Sequence, residues 1–215
     1  MQREETGMTS TVRHLVAGLA VMVTLVSGGQ ALAAEDGPVR LVIHVDNYAR
    51  IRGADLWPAE REVTRIYTTA GVHIVWATRD DHADEPGLHV HLQLLSRDMA
   101  MHMIAALRVA DTVAGRSARD AGRAYIFTHR IVDMALRHSD DFRRILGQVM
   151  AHEIGHLMLP VDSHSDRGIM RANIDVRSKG FHDFTAEQGA AIRSMLLAAS
   201  SPPAGQIIDP AVIGR

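Results

Sequence analysis

A chain of 215 residues with 47% hydrophobic and 22% charged residues is long enough to bury one core and has a globular rather than a disordered balance. A formal charge of −2, with no basic helix and no basic-aromatic stretch, gives no electrostatic footprint for nucleic acid. Cysteine is absent, which excludes disulfides and thiolate metal sites; a metal here has only His and carboxylates to hold it.

The N-terminus reads as a secretory signal over residues 1–33. Arg13 and His14 precede an apolar run from Leu15 to Val26, and Ala31-Leu32-Ala33 offers the small-x-small pattern of a cleavage site. The run falls short of the about 20 residues that span a bilayer, although an uncleaved anchor is the alternative reading. Met8 is a second possible start, because Glu4 and Glu5 are unusual in a positive leader. The mature part, 34–200, shows no internal repeat and no linker, and is expected to form one domain. Pro202, Pro203 and Pro210 mark 201–215 as a loose tail.

Residues 39–46 are rich in β-branched types with few breaks and predict a strand buried on both faces. A helix is expected from Asp55, with Pro58 in its first turn and Leu56, Val63, Ile66 and Ala70 on one face; Gly71 is a stop signal. Val72 to Ala77 is a second strand. From Leu88 to Leu95, apolar residues alternate with His89, His91 and Gln93, the period of a half-buried strand. The piece between, Arg79 to Gly87, is an acidic loop, and strand, helix, strand suggests a parallel crossover.

Residues 97–107 are helix-like. Val109 to Gly122 is small and polar and reads as a long loop, of the kind that is often functional. Ala124 to Thr128 is a short strand, and Ile131 to Arg137 a short helix. The central helix is expected to start at Ser139 as N-cap, with Asp140 and Asp141 at the positive end of its dipole, and to stop near Leu159 before Pro160. A last helix opens with Thr185 and Gln188 at capping-box spacing and carries Ile192, Met195, Leu196 and Ala199 as its apolar stripe.

The central helix contains His152-Glu153-Ile154-Gly155-His156. Histidines four apart on a helix share a face, and both can bind one Zn²⁺ at about 2.0–2.1 Å. Glu153 is turned away from joint ligation but can reach a water at the metal, the general-base position of a zinc hydrolase. Ordinary surface histidines would not be flanked by Val149, Met150, Ile154, Leu157 and Met158. A buried Glu between them is costly unless it is paired with a metal or a proton. Catalytic zinc needs a third protein ligand from elsewhere.

The stretch from His152 to Met170, with Ser163-His164-Ser165 and Gly168-Ile169-Met170, resembles the metzincin clan of zinc peptidases, and within it a bacterial exported branch with HEIGH, then SHS, then GIM. The resemblance implies that the active helix ends soon after its second His, that His164 is the third metal ligand, and that Met170 forms a hydrophobic floor on a Met-turn. The clan's usual spacing puts Gly and the third ligand where this chain has Leu159 and Asp162, and His164 makes the connection two residues longer. Asp162 is therefore a rival ligand, and Asp175 another by analogy. An Asp162 that is not a ligand is expected to bond a ligand imidazole. Ala172 stands where some members carry Tyr, so the oxyanion donor is open, with Arg171 and Tyr125 as candidates.

Element order and resemblance together imply an α+β fold, a small twisted sheet, mixed but mostly parallel, packed on helices. The expected function is a secreted zinc-dependent endopeptidase, periplasmic or extracellular and monomeric, with Zn²⁺ on His152, His156 and His164 and Glu153 as base. Its peptide or protein substrate is expected to add as a β-strand along Tyr125 to Thr128. The rivals are a non-catalytic zinc-binding protein that recognises a partner, which would need no base at Glu153, and a zinc amidase acting on cell-wall peptides. His89 and His91 read as solvent-facing residues, with a second metal site as the alternative; His44, His73, His129 and His182 are read the same way.

Overall fold

Strands and helices are interspersed up to residue 127 and the elements after it are helices, in a computed structural model that describes residues 39–77, 86–138, 140–172 and 182–200. The signal, most of the acidic loop, Ser139, Asp175 and the tail lie outside the described residues. No helix among those described is long and apolar enough to cross a membrane.

The strands are β1 (Val39–Asn47), β2 (Val72–Ala77), β3 (Leu88–Leu95), β4 (Gly115–Ala118) and β5 (Arg123–Phe127). They form one mostly parallel sheet in the order β2-β1-β3-β5-β4, in which only β4 runs antiparallel to its neighbour. Strand alternation divides the side chains between two faces. Leu41, Ile43, Val72, Ile74, Val90, Leu92, Leu94, Ala124 and Ile126 enter the main core. Leu95 and Phe127 belong to a smaller core on the other face, closed by Ala100 of a helix over Arg97–Leu107 (α2 in chain order).

The main core lies under α1 (Gly53–Thr69) and α4 (Phe142–Met158), which pack against each other. Their approach is close because Gly147 has no side chain: a Cβ there would meet the Ala59 carbonyl at 2.7 Å and Glu62 Cβ at 2.8 Å. Tyr67 of α1 is fully buried and its hydroxyl donates to the Ala151 carbonyl of α4 at 3.2 Å, while burial pushes its ionisation well above the usual range. The remaining helices are α3 (Thr128–His138) and α5 (Ala186–Ser200). At the start of α5 the capping box is formed: Thr185 N donates to Gln188 Oε1 at 3.0 Å, and Gln188 N to Thr185 Oγ1 at 3.3 Å.

Several boundaries differ from the sequence reading, each for a physical reason. Helix α1 starts at Gly53, so Pro58 falls beyond the first turn. Helix α4 is capped by Asp141, whose carboxylate accepts from Arg143 N at 3.0 Å, so Asp141 rather than Ser139 is its N-cap. The expected loop from Val109 to Gly122 contains β4 and a 3₁₀ turn, Arg119–Ala121. Gly115, Arg116, Ser117 and Ala118 have no intrinsic strand preference, and pairing with β5 makes them a strand. That pairing also bears on the strand expected to receive a substrate: β5 is bonded to β3 on one side and β4 on the other, so among the described residues the edge strand here is β4.

Candidate metal centre

The helix that carries His152, Glu153 and His156 is buried along nearly its whole length, with His152 and Glu153 each 6% exposed. After the C-cap at Leu159 and the turn at Pro160, the chain doubles back and returns His164 to the helix. The three imidazoles converge: His156 Nε2 lies 3.0 Å from His152 Nε2 and 3.1 Å from His164 Nε2. Two nitrogens on one zinc at tetrahedral angles stand about 3.3 Å apart, a few tenths of an ångström from this arrangement. Among the described residues these three are the one cluster of His, Asp and Glu tight enough to hold a metal ion.

The tautomers suit ligation. His152 Nδ1 donates to the Ile169 carbonyl at 2.8 Å, which leaves Nε2 with its lone pair toward the other rings. His156 Nδ1 pairs with Ser163 Oγ at 3.3 Å. Burial, then the neighbouring His152 and His164 and the Arg119 guanidinium, push His156 down to about 4; burial also lowers His152. Both rings are thus neutral at pH 7, the form that binds metal.

Asp162 has a left-handed backbone (φ 61°), is exposed, and stands outside the cluster although it lines the same cleft. The bond to a ligand imidazole expected of it is made by Ser163 instead. The segment that presents His164 is fixed by the N-terminus of α5, where Gln188 Nε2 donates to Ser165 Oγ at 3.1 Å and to the Ser163 carbonyl at 3.4 Å. Met170 is fully buried beneath the site. A Cβ at Gly155 would lie 2.8 Å from its sulfur, so the glycine in HEIGH leaves room for that floor.

Strand β4, not foreseen from sequence, completes the site. Ser117 Oγ lies 2.7 Å from both Oε2 and the backbone oxygen of Glu153, and its single proton serves the two. Gly115 passes so near that a Cβ would stand 2.6 Å from Glu153 Cγ. Burial raises the Glu153 carboxyl to about 7 against the opposing pull of the Ser117 hydrogen bond and the Arg116 charge. Arg119, just past the strand, donates to the His156 carbonyl at 2.7 Å. The only signal in the sequence for these residues is a glycine inside a long polar segment.

The three histidines, Glu153 and β4 line a cleft of about 480 Å³. Tyr125, a candidate oxyanion donor, is not in it: its side chain packs with Leu95, Ala100 and Phe127 on the far side of the sheet. Arg171 is half-buried and does not line the cleft. Among the other described histidines, His73 is exposed on β2 and His129 and His182 are half-buried elsewhere, while β1 and β3 bring His44, His89 and His91 together.

No family model matches the chain, and no curated protein matches it. Among solved structures it is similar to a zinc-dependent peptidase from Methanocorpusculum labreanum, at 16% identity and a TM-score of 0.47, over 71% of this chain and 99% of that one. A likeness that distant carries no argument about function, which rests on the site itself.

Proposed function

We propose that the protein is an exported, monomeric zinc-dependent endopeptidase of the metzincin type, its metal held by His152, His156 and His164. The observation that carries this reading is the convergence of three imidazoles, those of His152 and His156 held neutral, beside a buried carboxyl with a pKa of about 7, in a cleft beside the edge strand β4. Zinc in that position supplies a Lewis acid that acidifies water and polarises a carbonyl. Glu153 takes the proton of the attacking water and returns it to the leaving amine, for which a pKa near the working pH is suited. Ser117 holds Oε2, leaving Oε1 for the proton. The substrate adds as a strand along β4 rather than β5, because β4 is the last strand of the sheet among the described residues and lies beside Glu153.

The test is metal analysis and peptide-library cleavage on the mature protein, wild type beside Glu153→Ala, with peptidoglycan fragments as a parallel substrate. The wild type is expected to hold zinc and cleave peptides, and the variant to keep its zinc and lose hydrolysis. Unchanged turnover in the variant overturns the mechanism; cleavage of cell-wall fragments alone replaces the peptidase reading with an amidase.

A further inference from the structure

Between α2, α3 and the segment that leads into β4 lies a second cavity, of about 490 Å³, that the chemistry above does not use. It adjoins the metal cleft: Thr112, Ala114 and Met134 line both. Helix α3 gives it one wall, since His129, Asp133 and Arg137 recur every four residues and so share a helical face. Arg97, the first residue of α2, lines it as well. Arg130 holds the wall together. Its Nη1 donates to the Ala110 and Val113 carbonyls, both at 2.6 Å, and its Nη2 to the exposed Asp111 at 3.4 Å. The segment shared by the two cavities is thereby fixed. Arg97 and Arg137 differ from Arg130: among the described residues neither has a hydrogen-bond or ion-pair partner. With Arg130 set against Asp111, two arginines face one carboxylate, Asp133. That positive excess reaches into the wall. After burial, the Arg130 and Arg97 charges lower the His129 imidazole, against an opposing pull from Asp133.

We propose that this cavity is a subsite of the peptide cleft that takes an acidic side chain of the substrate, its carboxylate held by Arg97 and Arg137. The subsite presupposes the peptidase reading of the cleft and adds the class of substrate that the cleft favours. A strand laid beside β4 passes Gly115, which abuts Glu153, and continues past Ala114 to Thr112. Three residues of extended chain span at most about 10 Å. A side chain two or three residues from the scissile bond therefore reaches the second cavity, on the Thr112 side of that bond. Guanidinium groups present paired N–H donors that match a carboxylate, and they stay charged throughout the working pH range. Met101, Ile104 and Met134 offer an apolar wall to the methylenes of a glutamate. A lysine there would meet two like charges, which sets the discrimination.

The experiment measures fluorescence polarisation of labelled peptides on purified Glu153→Ala protein with zinc supplied, beside cleavage of the same peptides by the wild type. The peptides carry Glu, Gln or Lys at each position in turn, with a free or an amidated C-terminus. One position is expected to show a preference, with Glu bound about tenfold tighter than Gln, as two exposed ion pairs allow. Where the peptide is cut, that position lies two or three residues from the cleaved bond. Arg97→Ala and Arg137→Ala, added singly, are each expected to lose about threefold of the preference, and together nearly all of it. Arg97→Glu/Arg137→Glu is expected to bind the Lys peptide best, which a merely structural loss would not produce. Arg61→Ala, on an exposed position of α1, is expected to keep the preference. Arg97 and Arg137 are both exposed, and circular dichroism establishes that the variants fold; the single variants decide the question if a double variant does not. Equal binding of Glu and Gln peptides, or an undiminished preference in the folded variants, overturns the subsite whether or not the wild type cleaves. A preference that disappears on amidation overturns the side-chain assignment in favour of a terminal carboxylate. An acidic preference lost in the arginine variants, with no cleavage by the wild type, leaves the acidic pocket standing and overturns the peptidase reading.

Discussion

Glu153 is the residue whose chemistry depends most on its surroundings. Its neighbours in sequence make it the candidate base, while its pKa of about 7 comes from burial beside β4. Ser117 opposes that rise by hydrogen bonding to the ionised form, so Ser117→Ala is expected to lift the Glu153 pKa further. A base works only when ionised, so the acidic limb of kcat/KM should move to higher pH in the variant, with the loss of rate greatest below pH 7. A bound dication lowers both starting values but leaves the sign of the difference unchanged. A pH profile of wild type and variant checks this, and coincident acidic limbs would remove Ser117 from any part in tuning the base. At this scale His152, Glu153 and His156 were legible in the sequence because helical periodicity is local. Ser117 was not, because 36 residues separate it from Glu153 and no pattern links them.

Among the elements, α4 was largely readable and β4 was not. Helix α4 announces itself by its length, its acidic start and Pro160, although its cap moved to Asp141 because that carboxylate reaches Arg143 N. Its packing depends on Gly147, which sequence reading leaves unexplained. Gly147→Ala gains about 1 kcal/mol in helix propensity. Against that, the new methyl meets backbone at Ala59, which cannot rotate aside as a side chain can. Overpacking of this kind costs about 1–3 kcal/mol, and because α1 and α4 must separate, the upper part of that range applies. The expected result is a net loss of about 1–2 kcal/mol in urea unfolding. Stabilisation instead would mean that α1 can shift at little cost. Strand β4 is a strand through its partner rather than its composition, and for the same reason the sequence did not show that β5 lies between β3 and β4.

For the molecule as a whole, the third imidazole of the cluster is the point at which distant parts must agree. His164 reaches the helix because α5 ties its segment through Gln188 and because Met170 packs under Gly155. Zinc bound by the native state alone should raise the melting temperature, by about 4 kcal/mol of stability at a thousandfold excess over Kd. His164→Ala is expected to lose most of that zinc-dependent shift and Asp162→Ala to keep it; the reverse outcome in differential scanning calorimetry would make Asp162 the ligand. By itself the sequence determined the two candidate helical ligands, the carboxylate between them, the buried helix around them and the order of most elements, because each is written in spacings of a few residues. The tertiary structure alone decided which of His164 and Asp162 meets the other two imidazoles, which described strand ends the sheet, and that His44 joins His89 and His91. Those are matters of pairing between segments distant in the chain, and strand register and turn geometry, not local periodicity, bring them within a few ångströms.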